Sequence, residues 1–140
     1  VEAVNALVPE LLVSNIDTSL AFWIGLLGFE IVFDRPAERF AFLRLDAIEV
    51  MIEQVGAGRN WLSGDLEKPL GRGINLQMLA ADWTWALARL RRHEWPLFME
   101  PEEKWYQTGA EDVGQTQFLV QDPDGYLLRL AQPLAPRLSQ

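Results

Sequence analysis

Cysteine is absent and histidine occurs once in the 140 residues. The first absence excludes a disulfide framework and thiolate chemistry. The second removes the usual nitrogen-rich metal cluster and any Ser-His-Asp set, because His93 ends the cationic run "RLRRH" and is expected to face water. No apolar run approaches the roughly 18 residues that a membrane-spanning helix needs. No basic segment followed by an apolar one opens the chain, so the cytoplasm is the expected location and no membrane partner is expected. Positive charge is scarce as well: 12 Lys and Arg against 20 Asp and Glu give a formal net charge of −8. That balance repels phosphate backbones, and nucleic acid is not an expected partner.

Apolar residues make up 49% of the chain, ample for one domain of this length. Six residues are tryptophan, and Trp61 and Trp105 stand in polar surroundings rich in glycine and glutamate, where a core role is hard to arrange. An acidic surface steers cationic ligands inward, although acidity also simply keeps soluble proteins dispersed.

"LVPELLV" (Leu7 to Val13) reads as a strand. Asn15 or Asp17 then caps a helix whose Leu20, Trp23, Ile24 and Leu27 share one face, and Gly28 ends it. "FEIVFD", "RFAFLRL" and "IEVMIEQ" alternate as three further strands, divided by the turn-like "RPAE" and "DA". Residues 56–72, "GAGRNWLSGDLEKPLGR", form a connector. The order then begins again: "GINLQML" is a strand, Asp82 caps "WTWALARLRRH", and "PLFME", a looser "EKWYQTG", "QTQFLVQ" and "YLLRLAQ" follow as strand candidates.

Placing Asn15 over Asp82 also places Leu20 over Leu87 and Trp23 over Leu90, the mark of an internal duplication. The chain is thus expected to be a single α+β domain made of two βαβββ modules, 7–55 and 73–132, with a tail at 133–140 that is expected to be disordered or a subunit contact. Helices would cover one side of a curved, mixed sheet and leave a trough on the other. Face parity assigns Ile48, Val50 and Ile52, and Tyr126, Leu128 and Leu130, to the helix side. Glu49, Met51 and Glu53, with Leu127, Arg129 and Ala131, go to the trough side. An unpaired charge there is costly, and Glu53 is the natural partner for Arg129.

The repeated modules, the helix "NIDTSLAFWIGLLGF" and above all "DPDGYLLRLAQ" resemble the vicinal oxygen chelate superfamily, and within it the glyoxalase/bleomycin resistance proteins, from about Leu7 to Gln132. The resemblance implies a divalent metal held by four side chains, and its positions carry over to Val8, Glu53, Asn75 and Arg129. Of these only Glu53 is an ordinary ligand, and a guanidinium repels a cation. A register shift would bring in Glu10 or Gln77 but leave Arg129 in place. No metal and no cofactor are therefore expected.

What the resemblance to the bleomycin-binding branch implies is capture without turnover, by a homodimer, of a bulky cationic molecule. That branch carries a tryptophan just ahead of the strand matching "QTQFLVQ", where this chain has Val113 and Gly114. The expected ligand-binding residues are Phe40, Phe42, Glu49, Glu53, Trp61, Asn75, Trp105, Tyr106 and Arg129, with no catalytic residue among them. Phe40 and Phe42 alternate with Ala41 and Leu43, so one of the two faces is core, and the sequence leaves open which. Trp105 and Tyr106 are consecutive, so at most one of them faces a site. The adjacent Glu102 and Glu103 read as a solvated run. A vicinal oxygen chelate enzyme with a relocated metal, and a structural or regulatory dimer, remain the alternatives.

Overall fold

Pro9 has no N–H to give to a ladder, and the first strand begins only after it: β1 is Glu10–Val13 rather than the full Leu7 to Val13. A computed structural model of the chain describes residues 4–138. Asn15 accepts the Thr18 N–H at 3.0 Å and starts α1, Ile16–Leu20. The helix then widens into a π-helix, Ala21–Leu26, in which the Leu27 N–H reaches back five residues to the Phe22 carbonyl at 3.1 Å. A period of 3.6 puts Leu20, Trp23, Ile24 and Leu27 on the buried side. Trp23 and Leu27 are fully buried, but Leu20 and Ile24 are only half-buried, and Phe22 and Leu26 are buried instead. The wider turn rotates the later side chains by about one position.

β2 (Glu30–Arg35), a short 3-10 turn at Pro36–Glu38, β3 (Phe40–Leu45) and β4 (Ile48–Gln54) complete the first module. Its sheet runs β1-β4-β3-β2, with β1 and β4 parallel and the other pairs antiparallel. Leu43, Val50 and Ile52 share one face by register and are fully buried, as the alternation predicts.

The second module repeats the plan with β5 (Asn75–Leu79), α2 (Thr84–Arg92), β6 (Leu97–Gln107), β7 (Glu111–Gln121) and β8 (Leu127–Pro133), its sheet running β5-β8-β7-β6. Asp82 accepts from the Thr84 N–H at 2.8 Å and the Thr84 hydroxyl at 2.5 Å, and Arg89, Arg91 and Arg92 close the helix where its dipole favours cations. The α+β class and the two βαβββ modules stand as expected. The strands hydrogen-bond as two sheets, one per module.

Two sequence expectations need correction. "PLFME" and "EKWYQTG" are parts of one 11-residue strand, β6, which runs through Pro101. β6 lies at a sheet edge, and its register against β7 slips between Leu97 and Met99 and again between Met99 and Glu102. Edges and bulges are where strands tolerate proline. The tail is ordered as far as it is described: the Leu134 N–H meets the Gly114 carbonyl at 2.9 Å, and β9 (Arg137–Leu138) pairs with Glu111 and Asp112 of β7.

The chain divides into two units, one reaching to Leu70 and including Asp122–Gly125, the other comprising Gly71–Gln121 and the residues from Tyr126 onward. In the first unit the "DPDG" turn is held by its acids. Asp122 accepts from the Trp23 indole at 3.3 Å, and Asp124 accepts from the Ser14 N–H at 3.1 Å and pairs with Lys68 at 3.4 Å. Gly125 has φ +98°, and a Cβ there would meet Pro69 Cβ at 2.5 Å, so this corner requires glycine.

Candidate functional site

In the first unit, register sets one face of the sheet: Glu10 and Leu12 on β1, Glu49, Met51 and Glu53 on β4, Phe40, Phe42 and Arg44 on β3, Phe33 and Arg35 on β2. The alternative that the sequence leaves open for Phe40 and Phe42 is resolved here: they lie opposite Glu53 and Met51, on the face away from Leu43 and Val50. Phe33 stacks on Phe42 with centroids 5.1 Å apart and lies 6.0 Å from Phe40. The Arg35 guanidinium sits 3.9 Å over the Phe40 ring and pairs with Glu38 at 2.5 Å. Phe40 and Phe42 are thereby covered, and Phe33 and Met51 are the half-exposed apolar members of the face.

Two acids stand beside these rings. Glu53 is 6% exposed and accepts a hydrogen bond from Asn60 Nδ2 at 3.2 Å, while Asn60 Oδ1 accepts from the Gly56 N–H at 2.5 Å. The connector backbone comes so close that a side chain at Gly58 would collide with the Glu53 carboxylate. Glu10 is exposed. Partial burial and the negative charge of Glu53 push its carboxyl above the ordinary value, against a smaller opposing pull from Arg35.

Glu49 differs from both. Its oxygens accept from the Val4 N–H at 3.0 Å, the Asn5 N–H at 2.6 Å and Arg44 Nη2 at 2.7 Å, so the carboxylate is already engaged within the chain. Burial alone would raise its carboxyl, but the hydrogen bonds from Val4, Arg44 and Asn5 outweigh that and hold it down at about 2. Trp61, in the connector, is 70% exposed and carries the Arg59 guanidinium 4.2 Å from its ring.

In the second unit the corresponding face holds Asn75 and Gln77 on β5, Leu127, Arg129 and Ala131 on β8, Gln115, Gln117 and Leu119 on β7, and Glu102, Lys104 and Tyr106 on β6. Amides link across it. Gln115 Nε2 donates to Gln77 Oε1 at 3.0 Å and to Gln117 Oε1 at 2.7 Å, Gln117 Nε2 donates to Glu102 Oε1 at 3.0 Å, and the Tyr106 hydroxyl meets Gln117 Oε1 at 3.3 Å. Arg129 lies on this face between Gln77 and Leu119, and its Nε is buried with no hydrogen-bond partner among the described residues.

Trp105 points to the other side from Tyr106. It packs on Gly114, where a Cβ would lie 2.5 Å from its ring, gives its indole N–H to Glu103 at 2.8 Å, and has the Arg137 guanidinium 3.8 Å over it. Glu53 and Arg129 belong to different units. Gln115 and Gln117 do not stand out in the sequence as site residues, because glutamine on an alternating strand reads as a solvated face; both are buried.

The four positions of the superfamily's metal set do not fit a divalent cation here. Val8 offers no donor and Arg129 brings a fixed positive charge. Among the described residues no three His, Cys, Asp or Glu side chains gather in a way that could hold a metal.

Compared with known proteins, residues 4–130 match the family model described as the Glyoxalase/Bleomycin resistance protein/Dioxygenase superfamily. Among solved structures, a superfamily member from Vibrio splendidus 12B01 is 35% identical, with 89% of this chain and 95% of that one covered and a TM-score of 0.41. TioX from Micromonospora sp. ML1 is 19% identical over 93% of this chain and 99% of its own, with a TM-score of 0.70. A protein of unknown function from Agrobacterium tumefaciens str. C58 is 23% identical over 96% and 98%, with a TM-score of 0.67. At these two lower identities the likeness is one of fold. No curated protein matches the chain.

Proposed function

Because the chain belongs to the Glyoxalase/Bleomycin resistance protein/Dioxygenase superfamily, we propose that it captures a small cationic or amphipathic molecule of the bleomycin type, as a homodimer and without turnover. The observation that carries this reading is the placement of two carboxylates, Glu10 and Glu53, on the face that also presents Phe33 and Met51. The charge of Glu53 disfavours the ionised form of Glu10, and a ligand cation relieves that cost. An apolar ring laid on Phe33 adds about 0.5 to 1.5 kcal/mol beyond its buried area, and a cation over an aromatic face contributes about 0.5 to 1 kcal/mol at an exposed site. The seat over Phe40 is held by Arg35, which acts as a resident cation that a ligand would displace.

The test is calorimetric titration of the chain with metal-free bleomycin, with tryptophan fluorescence followed in parallel. Saturable binding that Glu53→Gln weakens by about ten-fold, the equivalent of roughly 1.4 kcal/mol, is the expected result. Absence of binding, or binding equal in the variant, overturns the reading. Binding that requires added zinc or manganese would favour the metal-dependent alternative instead.

A further inference from the structure

The amide face of the second unit has a feature that capture of a cation leaves unused. Arg129 presents a buried Nε–H with nothing to accept it, in a sheet where the neighbouring polar side chains have found one another. Along β8 its same-face neighbours are Leu127 and Ala131, and across the ladder they are Gln77 and Leu119. Three of these four are apolar and offer no acceptor. The fourth, Gln77, accepts from Gln115 Nε2 through its Oε1, which leaves its Nε2 as a further donor in register with Arg129. Lys104 stands on the same face, in register with Gln115. None of these register neighbours accepts from the Arg129 Nε–H, and Glu102, on the same face, already receives Gln117.

A guanidinium whose Nε–H lacks an acceptor suits a planar oxyanion, because its paired N–H groups match the two oxygens of a carboxylate. We infer that the Arg129 face of the second unit is a binding site for a carboxylate carried next to an amide, as at the end of an N-acylated amino acid or short peptide. Arg129 takes the carboxylate and Gln77 Nε2 donates to the adjacent amide carbonyl. The net charge of −8 opposes anions at long range, so recognition here is short-range and of millimolar strength for a fragment.

The probe is N-acetylglycine, with neutral N-acetylglycinamide as its counterpart, titrated into the chain while the arginine Nε–Hε resonances are followed by NMR. One such resonance, assigned to Arg129 by its loss in Arg129→Gln, is expected to shift saturably with N-acetylglycine and not with the amide. Gln77→Ala, at an exposed position, is expected to weaken binding about three-fold. Glu53→Gln is expected to leave it unchanged, so failure here is distinguishable from failure of cation capture. An equal response to both probes, or no shift of any arginine Nε resonance at concentrations of tens of millimolar, overturns the inference.

Discussion

Glu10 and Glu49 carry the same charge on the same face of one sheet, yet acid acts on them in opposite directions. Glu49 is held near 2, below its ordinary 4.5, so the stability it contributes is complete above 4.5 and is lost as pH falls from there through 2. Thermal unfolding followed from pH 5 down to pH 2 should therefore show a fall in Tm that Glu49→Gln largely removes, starting from a lower Tm at pH 5. Glu10 is raised above 4.5, so its ionised form opposes folding once pH exceeds that value. Glu10→Gln should raise Tm slightly at pH 7 and change it little at pH 3. Arg35 supplies a third residue-level expectation. It occupies the ring of Phe40 and partly offsets the field at Glu10. Removing it as Arg35→Gln should tighten binding of a cationic ligand several-fold in calorimetry, the reverse of what Glu53→Gln does.

Among the elements, the corner between β7 and β8 is the most exacting. Gly125 combines a left-handed backbone with direct contact to Pro69, and its neighbours Asp122 and Asp124 are 3% and 1% exposed. Gly125→Ala meets both obstacles, and a loss of about 1 to 3 kcal/mol is expected in urea unfolding. This corner is legible in the sequence because "DPDG" joins a turn glycine to acids that can hydrogen-bond backbone. The Asn15 cap, the alternation in β4 and the burial of Trp23 are legible for the same reason: each follows from local geometry. What the sequence conceals is set by partners distant along the chain. The π-helix shifts the buried face of the first helix by long backbone bonds that a 3.6-residue period does not contain. β6 is a strand because β7 pairs with it, in spite of Pro101. The engagement of Glu49 depends on Val4 and Asn5, 45 and 44 residues away, and no spacing rule links them.

For the molecule as a whole, charge is the property that reaches furthest. At −8, the attraction of a cationic ligand is expected to fall with salt. Raising ionic strength from about 0.01 M to about 0.15 M shortens the screening length from about 30 to about 8 Å. The dissociation constant for bleomycin should rise several-fold over that range, mainly through a slower association rate in stopped-flow, whereas an apolar-driven ligand would show no such trend. Sedimentation velocity measures the dimer proposed here, and a monomer at all concentrations would remove it.

The first unit owns a piece of chain that is made last. Asp122–Gly125 belongs to it, although more than fifty residues of the other unit lie between Leu70 and that turn. During synthesis the indole of Trp23 and the amide of Ser14 must wait for acids that follow 99 and 110 residues later in the chain. A chain halted before residue 122 lacks both hydrogen bonds, so its first unit is expected to be cut faster in limited proteolysis than that of the whole chain.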